Sequence, residues 1–378
     1  MILHLIHDDA IVPRMISQFE EVYPGNNIYV CVSVCENKDD LRFLKETTQV
    51  IISKSKDISN IPWKEIDKVC FHYLTFKKIR CYYKFCIKYN LKSTKNIWFM
   101  WGGDIYDILE RKGLNLFSED NSILKIRKAN YKKSIKSLIF TLLHGLMRCL
   151  TDKCRCYFLD KKIDYIVCNS RFEFELFCKY VSFSKCKDLL RYHYYSLEDT
   201  LGNLKDVRVN GNSIIVGNSA TASNNHEYIL KLLEELDLED RKIYVPMSYS
   251  REENYVKIVE EKFSHLPNAI LLNNFLPLEE YHKLLADCST FIYGNYRQEA
   301  WGNILIALYL GGKVYLSEHS IITKGLKASG FIFFTTEEIK KTFKQELTIE
   351  EKETNRNIAM KLFSGGNNKK NIEIISNL

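Results

Sequence analysis

The sequence predicts an α/β protein made of two doubly wound, Rossmann-like domains that face a cleft. Short apolar segments alternate with segments of helical spacing along the chain, and this pattern is typical of a parallel sheet covered on both faces. The alternation is interrupted once and then restarts. At 378 residues the chain is also too long for one ordinary core, so we expect two domains.

The first half of the chain supplies the strands of the first domain. Apolar runs bounded by polar turns predict these strands: MILHLIH, NNIYVCVSV, TQVIISK, KVCFHYL, NIWFMWG and DYIVCNS. Between them, apolar residues recur at helical spacing in VPRMISQFEEVY and KKIRCYYKFCIKYN. Strands separated by helices predict a parallel sheet for this half.

Residues 123–162 interrupt the alternation. They contain eleven Lys and Arg and two Asp, around an apolar stretch, SLIFTLLHGLM, that is too short to span a bilayer. The wider range 51–162 carries 24 basic and 10 acidic residues, a difference of +14. A basic helix with an apolar face suits the surface of an anionic membrane, but a core helix with a solvated basic flank shows the same pattern. The sequence leaves both interpretations open.

The second half restarts the alternation. Its predicted strands are NSIIVGNSA, RKIYVPMSY, NAILLNNF, STFIYGN and KVYLSE. Its predicted helices are NHEYILKLLEEL, REENYVKIVEEKF, PLEEYHKLLADC and GNILIALYLGG. This unbroken order is that of a second doubly wound sheet.

The domain boundary is predicted in the polar stretch before the second set of strands. We expect a first domain over 1–195 and a second over 212–345, and a linker that contains glycine separates them. Residues 346–378 are predicted to form a helical tail that packs back on the first domain.

Composition narrows the class of protein. With 46% hydrophobic and 27% charged residues, the chain is globular and not disordered. Its twelve Cys include no CxxC pair and lie mostly in apolar segments, which indicates reduced, buried thiols and no metal site. The N-terminus lacks the basic and cleavage regions of a signal peptide, and no apolar run reaches about 18 residues. We expect a cytoplasmic protein.

The loops that follow the second-domain strands are rich in polar residues. In doubly wound sheets, ligands bind beyond the carboxyl ends of the strands, where helix N-termini favour phosphate. The loop VGNSATASNNHEY offers more polar groups than the single N-cap that a helix needs. Its candidates for phosphate contact are Gly217, Asn218, Ser219, Thr221, Ser223 and Asn224.

Two further loops lie at the same predicted edge. Ser248 and Tyr249 end the next strand, although an ordinary turn explains them equally well. Phe275 follows the strand after that and could pack on a planar base, or serve as a hydrophobic staple for the next helix.

The stretch YGNYRQEAWGN has the highest density of hydrogen-bond donors in these loops. Arg297 and Gln298 can reach a phosphate, Gly302 lets the backbone come close, and Asn303 can donate at the start of a helix. Alternatively, Arg297 simply pairs with Glu299.

In the first domain, the stretch FMWGGDIYD is the strongest candidate for a functional site. Gly102 and Gly103 follow a buried strand, and Asp104 then lies at its carboxyl end, where it could be a general base or a helix N-cap. Asp8, after the first strand, is a weaker carboxylate candidate, and His7 lies beside it.

Several common motifs are absent from the sequence. There is no GxxxxGK[ST] loop and no GxGxxG after a strand, which argues against NTPases and dehydrogenases. There is no GxSxG elbow and no Asp-x-Asp pair of the kind that bridges metals in one class of glycosyltransferases.

Four motifs, taken in order, resemble one family. WGGDIY, VGNSATASNNH, VPMSYS and RQEAWGN look like glycosyltransferase family 56, the TDP-N-acetylfucosamine:lipid II N-acetylfucosaminyltransferase family of enterobacterial common antigen assembly. The resemblance spans residues 1–335, and the two-domain pattern resembles the GT-B architecture. Glu299 departs from it, because the resemblance leads us to expect an uncharged amide there.

The resemblance implies an activity and assigns roles. It implies transfer of a 4-acetamido-4,6-dideoxyhexose, or a related sugar, from a nucleoside diphosphate (a TDP-sugar is favoured) to a lipid-linked saccharide on polyprenyl pyrophosphate. It implies a place in bacterial surface polysaccharide synthesis, with the enzyme bound peripherally to the cytoplasmic face of the inner membrane and without metal or other cofactor. Asp104 and Asp8 would be catalytic. The acceptor would contact His7, Gly102, Gly103 and Tyr106, and the donor would contact Gly217, Asn218, Ser219, Thr221, Ser223, Asn224, Ser248, Tyr249, Phe275, Arg297, Gln298, Gly302 and Asn303.

Two alternatives stay open on the sequence. A nucleotide-sugar 2-epimerase has the same two-domain architecture but needs no lipid acceptor and no basic segment. A non-enzymatic protein that binds RNA or anionic lipid would use the basic, aromatic range 68–100, but it would leave the second-domain loops unexplained.

Overall fold

The computed structural model consists of two compact units. It describes residues 1–35, 37–91, 94–122, 135–168, 170–249 and 252–378. The first unit contains residues 1–114, 140–196 and 365–378, and the second contains 115–139 and 197–364. Each unit is built on one parallel β-sheet.

The first unit has a seven-stranded sheet. In chain order its strands are β1 (Ile2–Ile6), β2 (Asn27–Cys31), β3 (Val50–Ile52), β4 (Lys68–His72), β5 (Lys95–Phe99), β6 (Tyr165–Val167) and β7 (Asp188–Leu190). The spatial order is β3-β2-β1-β4-β5-β6-β7, and every pair is parallel. Every residue of β1 and β4 is buried, as expected for central strands covered on both faces.

The helices of this unit cover the sheet. They are α1 (Val12–Val22), α2 (Phe76–Tyr89), α3 (Tyr106–Arg111), α4 (Ile135–Lys162) and α5 (Arg171–Cys178). Thr75 caps α2 by accepting a hydrogen bond from the backbone N–H of Lys78, and Asn90 ends it in the left-handed conformation. The main hydrophobic core includes Phe19 of α1 and Phe99 of β5.

The second unit has a six-stranded sheet. Its strands are β8 (Ser213–Val216), β9 (Ile243–Pro246), β10 (Ala269–Leu272), β11 (Cys288–Tyr293), β12 (Lys313–Leu316) and β13 (Phe334–Thr335). They lie in the order β10-β9-β8-β11-β12-β13, again all parallel. The helices of this unit are α6 (Leu197–Leu201), α7 (His226–Glu234), α8 (Glu253–Phe263), α9 (Leu278–Asp287), α10 (Trp301–Leu310), α11 (Ile321–Ala328), α12 (Ile339–Thr342) and α13 (Ile349–Phe363).

The tail that the sequence predicts over 346–378 divides between the units. Its first helix, α13, packs against α10 in the second unit. Its last helix, α14 (Gly365–Ser376), packs against α1, and Ile372 and Ile375 enter the core of the first unit. An ion pair between Lys369 and Glu21 joins α14 to α1.

The predicted fold class of two parallel-sheet α/β domains is confirmed. The sequence did not indicate β7 and β13, which have only three and two residues. Of the predicted membrane segment, residues 123–134 lie outside the described residues, and the rest belongs to α4. Within the ranges that the structure describes, no helix has the length and apolar composition needed to cross a bilayer.

Candidate functional site

The second unit has a crevice at the point where its chain order reverses. β8 and β11 are neighbours at the centre of the sheet, but the strands that follow each of them lie on opposite sides. Ligands of doubly wound folds bind at such a switch point, beyond the carboxyl ends of the strands. Here the loop after β8 (217–225, the first loop) and the loop after β11 (294–300, the second loop) come together.

Side-chain amides join these two loops. The Nδ2 of Asn225 donates to the carbonyl of Gly294 at 2.8 Å, and the Nδ2 of Asn295 donates to the carbonyl of Ser223 at 3.2 Å. A Cβ at Gly294 would lie 2.8 Å from the carbonyl oxygen of Asn224, so only glycine allows this approach. The residues of both loops that are predicted to bind the donor substrate therefore form one surface.

The first loop is also fixed internally. The side chain of Asn224 accepts from the backbone N–H of Asn218 at 2.9 Å and donates to the hydroxyl of Ser219 at 2.8 Å. The hydroxyl of Thr221 lies 3.1 Å from those of Ser219 and Ser223. These polar groups are held in place before any ligand arrives.

Glu299 is the acceptor at the centre of the two loops. Its carboxylate accepts hydrogen bonds from the hydroxyl of Ser223 at 2.8 Å, from the Nδ2 of Asn295 at 2.5 Å and from the Nε of Arg297 at 2.6 Å. The pairing of Arg297 with Glu299, which the sequence left as an alternative, is therefore present in the structure. Glu299 departs from the expected amide, and these three donors give its charge a structural reason.

The helix that follows the second loop starts in an unusual way. Ala300, the residue before α10, has a φ of +58°, a left-handed conformation that costs a non-glycine residue energy. Its side chain cannot cap the helix. Gly302 and Asn303 lie in the first turn, and the Nδ2 of Asn303 donates to the hydroxyl of Tyr281 at 2.9 Å. Gln298 is half-buried in the second loop.

A cavity of about 290 Å³ opens at the carboxyl ends of β9 and β10. Five of the predicted donor-binding residues line it: Asn218, Ser248, Tyr249, Phe275 and Asn303. Two aromatic side chains in its lining are exposed, and that of Phe275 is 76% exposed. The Oδ1 of Asn218 is buried and has no hydrogen-bond partner among the described residues. A cavity with apolar walls and one unpaired acceptor is suited to a planar, hydrogen-bonding ligand.

Sequence reasoning missed several residues of this site, among them Leu278, Tyr281 and Asn295. Leu278 and Tyr281 line the cavity from α9, and Asn295 joins the loops. The local signal for Asn295 was its position directly after Gly294 at the end of a strand. Leu278 and Tyr281 resemble ordinary helical residues, so nothing in the sequence distinguished them.

Asp104, the predicted catalytic residue of the first unit, is buried among hydrogen-bond donors, and its catalytic role stays a prediction. Its carboxylate is buried and accepts from the backbone N–H groups of Leu74 (2.8 Å) and Trp101 (3.1 Å) and from the indole N–H of Trp98 (2.7 Å). Burial raises the pKa of Asp104, and these donors oppose that rise. A carboxylate surrounded in this way holds the loops that carry Leu74 and Trp101 together.

Asp8 and Tyr106 also have hydrogen-bond partners within the first unit, and their roles in catalysis and acceptor binding stay predictions. Asp8 accepts from three successive backbone N–H groups at 2.6–3.1 Å, those of residues 42–44, and so fixes that loop. Tyr106 is buried and donates to the Oε1 of Glu173 at 2.7 Å. Burial raises the pKa of Glu173 to about 7. Gly103 is exposed next to buried Gly102, and His7 is half-buried at the carboxyl end of β1.

The described residues contain no group of three or more His, Cys, Asp or Glu side chains arranged to hold a metal ion.

Comparison with known proteins identifies relatives of the chain. The family model of the 4-alpha-L-fucosyltransferases, glycosyl transferase group 56, matches residues 167–368.

Solved structures of low sequence identity share the fold over the whole chain. HepE of Anabaena, solved with UDP and glucose, has a TM-score of 0.63 at 12% identity and covers 100% of this chain and 99% of its own. A glycosyltransferase from Rickettsia africae has a TM-score of 0.62 at 14% identity, with 100% and 97% covered. Sucrose-phosphate synthase of Thermosynechococcus elongatus has a TM-score of 0.63 at 10% identity, with 100% and 98% covered. Both sheets thus resemble those of GT-B glycosyltransferases.

Proposed function

Because the chain belongs to glycosyltransferase family 56, we propose that this glycosyltransferase moves a 4-acetamido-4,6-dideoxyhexose, such as N-acetylfucosamine, or a related sugar, to a lipid-linked saccharide. The donor is a nucleoside diphosphate sugar, with TDP favoured. The acceptor is carried on polyprenyl pyrophosphate, and the product enters a bacterial surface polysaccharide such as O-antigen or enterobacterial common antigen.

The observation that carries the donor assignment is the cavity at the ends of β9 and β10. Phe275 and Tyr249 supply exposed aromatic faces on which a planar base can stack. The unpaired Oδ1 of Asn218 can accept a hydrogen bond from that base or from the ribose. A nucleoside fits this combination of apolar wall and single buried acceptor.

The diphosphate of the donor would bind beside the cavity, at the second loop. Arg297 can bind phosphate oxygens through its guanidinium, and the first turn of α10 directs backbone N–H groups at an anion. Asn218 of the first loop and Asn303 of α10 both line the cavity. These groups would stabilise the leaving diphosphate by charge.

An exposed apolar stripe on α4 supports contact with a membrane. Leu143, Leu146, Met147, Leu150 and Tyr157 are all exposed, and their spacing places them on one face of the helix. Basic residues such as Arg148 and Lys153 lie along the same helix. A stripe of this kind suits the anionic, cytoplasmic face of the inner membrane, where a polyprenyl-linked acceptor is held.

Protection from thermal unfolding by TDP-, UDP- and GDP-sugars tests the donor assignment. We expect one nucleotide class to raise the unfolding temperature of the wild type, and Phe275→Ala to lose most of that rise. Ile349→Ala, which removes an exposed apolar side chain of the same unit outside the cavity, should keep it. If no nucleotide sugar protects the wild type, or if both variants behave alike, the donor assignment is wrong.

Co-sedimentation with vesicles of phosphatidylethanolamine and phosphatidylglycerol tests the membrane assignment. The double variant Leu146→Glu, Leu150→Glu should lose binding, whereas Ile87→Glu, on the exposed face of α2, should retain it. Equal binding by both variants would contradict a role for the stripe.

A further inference from the structure

We propose that three aromatic rings of the first unit, His7, Tyr73 and Trp101, form a binding subsite for the apolar face of a sugar ring of the acceptor. We call this group the aromatic subsite. Its geometry is independent of the donor site, but the identity of its ligand as the acceptor rests on the proposed function.

The three rings lie at the carboxyl ends of adjacent strands. His7 directly follows β1, Tyr73 directly follows β4, and Trp101 lies two residues beyond β5. β1 and β4 are the pair at which the order of the seven-stranded sheet reverses. In doubly wound sheets this is the expected position of a ligand.

The rings are close together and half-buried. The centroid of His7 lies 4.7 Å from that of Trp101 and 5.2 Å from that of Tyr73, and the rings of Tyr73 and Trp101 are 5.8 Å apart. Their planes meet at 45° to 72°, so the three rings do not form a parallel slot for a flat base. Each ring leaves part of its surface to solvent.

The backbone at Tyr73 is strained to place its ring there. Its φ is +60°, a conformation that is uncommon for bulky residues and that often occurs at ligand sites. The ring lies over Gly103, where a Cβ would be 3.3 Å from the Cε2 and the hydroxyl of Tyr73. Gly103 therefore leaves the room that this ring occupies.

Buried polar groups hold the loops that carry the rings. Asp104 accepts from the N–H of Leu74, next to Tyr73, and from the N–H of Trp101, so its carboxylate ties one loop to the other. The indole of Trp101 donates to the hydroxyl of Tyr194, which lies 2.8 Å from the Nδ1 of buried His72. Asp104 and Tyr194 are positioning residues for the subsite.

Lys78 sets the orientation of the His7 ring. Its buried Nζ lies 3.2 Å from the Nδ1 of His7 and also donates to the carbonyls of His72 and Tyr73. This contact engages the Nδ1 of His7 and leaves its Nε2 as the ring nitrogen that can face a ligand. Burial, with a smaller effect of Lys78, lowers the pKa of His7 to about 4, which keeps the imidazole neutral.

These features match the chemistry of a pyranose ring. The face of an aromatic ring is electron-rich and attracts the weakly positive C–H groups that a sugar presents on one side. The Nε2 of His7, which lies 4.0 Å from a carboxylate oxygen of Asp9, can exchange a hydrogen bond with a hydroxyl at the edge of the sugar. The neutral rings impose no charge on the ligand.

Saturation-transfer NMR on the full chain tests the subsite, with methyl β-D-glucopyranoside and N-acetylglucosamine as probes. The decisive variant is Tyr73→Asn, because asparagine adopts a positive φ readily and the fold should persist. Trp101→Leu removes the second ring. Tyr157→Asn is the matched control, since it removes an exposed tyrosine of the same unit outside the subsite. Protection by TDP is measured in parallel on each protein.

We expect the affinity for the sugar probes to fall about tenfold in Tyr73→Asn and Trp101→Leu, equivalent to about 1.4 kcal/mol, and to stay unchanged in Tyr157→Asn. TDP protection should be the same in all four proteins. Equal sugar binding by Tyr73→Asn and the wild type, or no sugar binding by the wild type, would overturn the subsite. Loss of sugar binding in the ring variants together with absence of TDP protection in every protein would support the subsite but contradict the proposed donor.

Discussion

Replacing Glu299 by glutamine is expected to tighten the binding of nucleoside diphosphate although it weakens the fold. In the structure the guanidinium of Arg297 is bound to Glu299 through its Nε at 2.6 Å, and through its Nη2 as well. The proposed function needs the same guanidinium for the diphosphate. Glu299 and the ligand therefore compete for Arg297, and their like charges repel.

The size of the effect follows from the hydrogen bonds that change. The bonds from Arg297 to Glu299 join two ions, whereas a bond to the amide of glutamine has one ionic partner. Within the range of about 1.5–3 kcal/mol for hydrogen bonds to charged groups, this change weakens the pair by about 1.4 kcal/mol. That difference corresponds to about a tenfold lower dissociation constant for TDP. The fold should lose a similar free energy of unfolding. It should survive, because the unpaired Oδ1 of Asn295 can accept from the new amide after the side chain of Asn295 rotates.

Isothermal titration with TDP and with TDP-sugars measures the effect, since TDP carries the diphosphate without the sugar. Glu353→Gln is the matched control, because it breaks another Arg–Glu pair of the same unit, that with Arg208 at 3.0 Å, outside the two loops. The control should bind TDP like the wild type. Unchanged or weaker TDP binding by Glu299→Gln would refute the competition. Tighter TDP binding with weaker TDP-sugar binding would show that Glu299 also contacts the sugar.

Three further predictions concern stability. Ala300→Gly should raise the free energy of unfolding by about 0.5–1 kcal/mol, because glycine adopts a φ of +58° without strain; a lower urea midpoint would contradict this. Asp104→Asn should lower that free energy by about 2–3 kcal/mol, since one of its three N–H donors loses its acceptor; an inactive variant with wild-type stability would instead support the predicted catalytic role of Asp104. Acidification should also destabilise the protein, because burial lowers the pKa of six histidines below the unfolded value of 6.5. The pKa falls to about 3 for His4 and His226 and to about 4 for His7 and His193, and it is also lowered for His72 and His282. Below pH 6.5 the unfolded chain binds protons that the folded chain does not, so stability falls toward acid by up to about 1.4 kcal/mol per pH unit for each histidine. Glu173, whose folded pKa is raised to about 7, and Asp104, whose pKa burial also raises, have the opposite effect, but the histidines outnumber them. Urea denaturation at pH 7 and pH 5.5 measures the difference, and equal midpoints would count against the assignment.

The elements and the edge of the sheet on which the donor residues lie could be predicted from the sequence. Strand and helix segments follow from apolar periods of 2 and 3.6, which are local properties of the chain. The polar residues after β8 and β11 had to lie at one edge, because parallel strands place all their carboxyl ends there. The sequence thus predicted that Asn218 and Asn303, with Tyr249 and Phe275, would lie at a common site, and they line one cavity.

The partners of each polar side chain were decided only by the tertiary structure. Asp104 had the sequence context of a base, but the fold surrounds it with three N–H donors, two of them from the neighbouring residues 98 and 101 and one from Leu74. Glu299 was unexplained until the fold brought Ser223, 76 residues away, within 2.8 Å of it. A periodic pattern shows which face a residue occupies, whereas the group that a side chain bonds depends on which distant loops the sheet order makes neighbours.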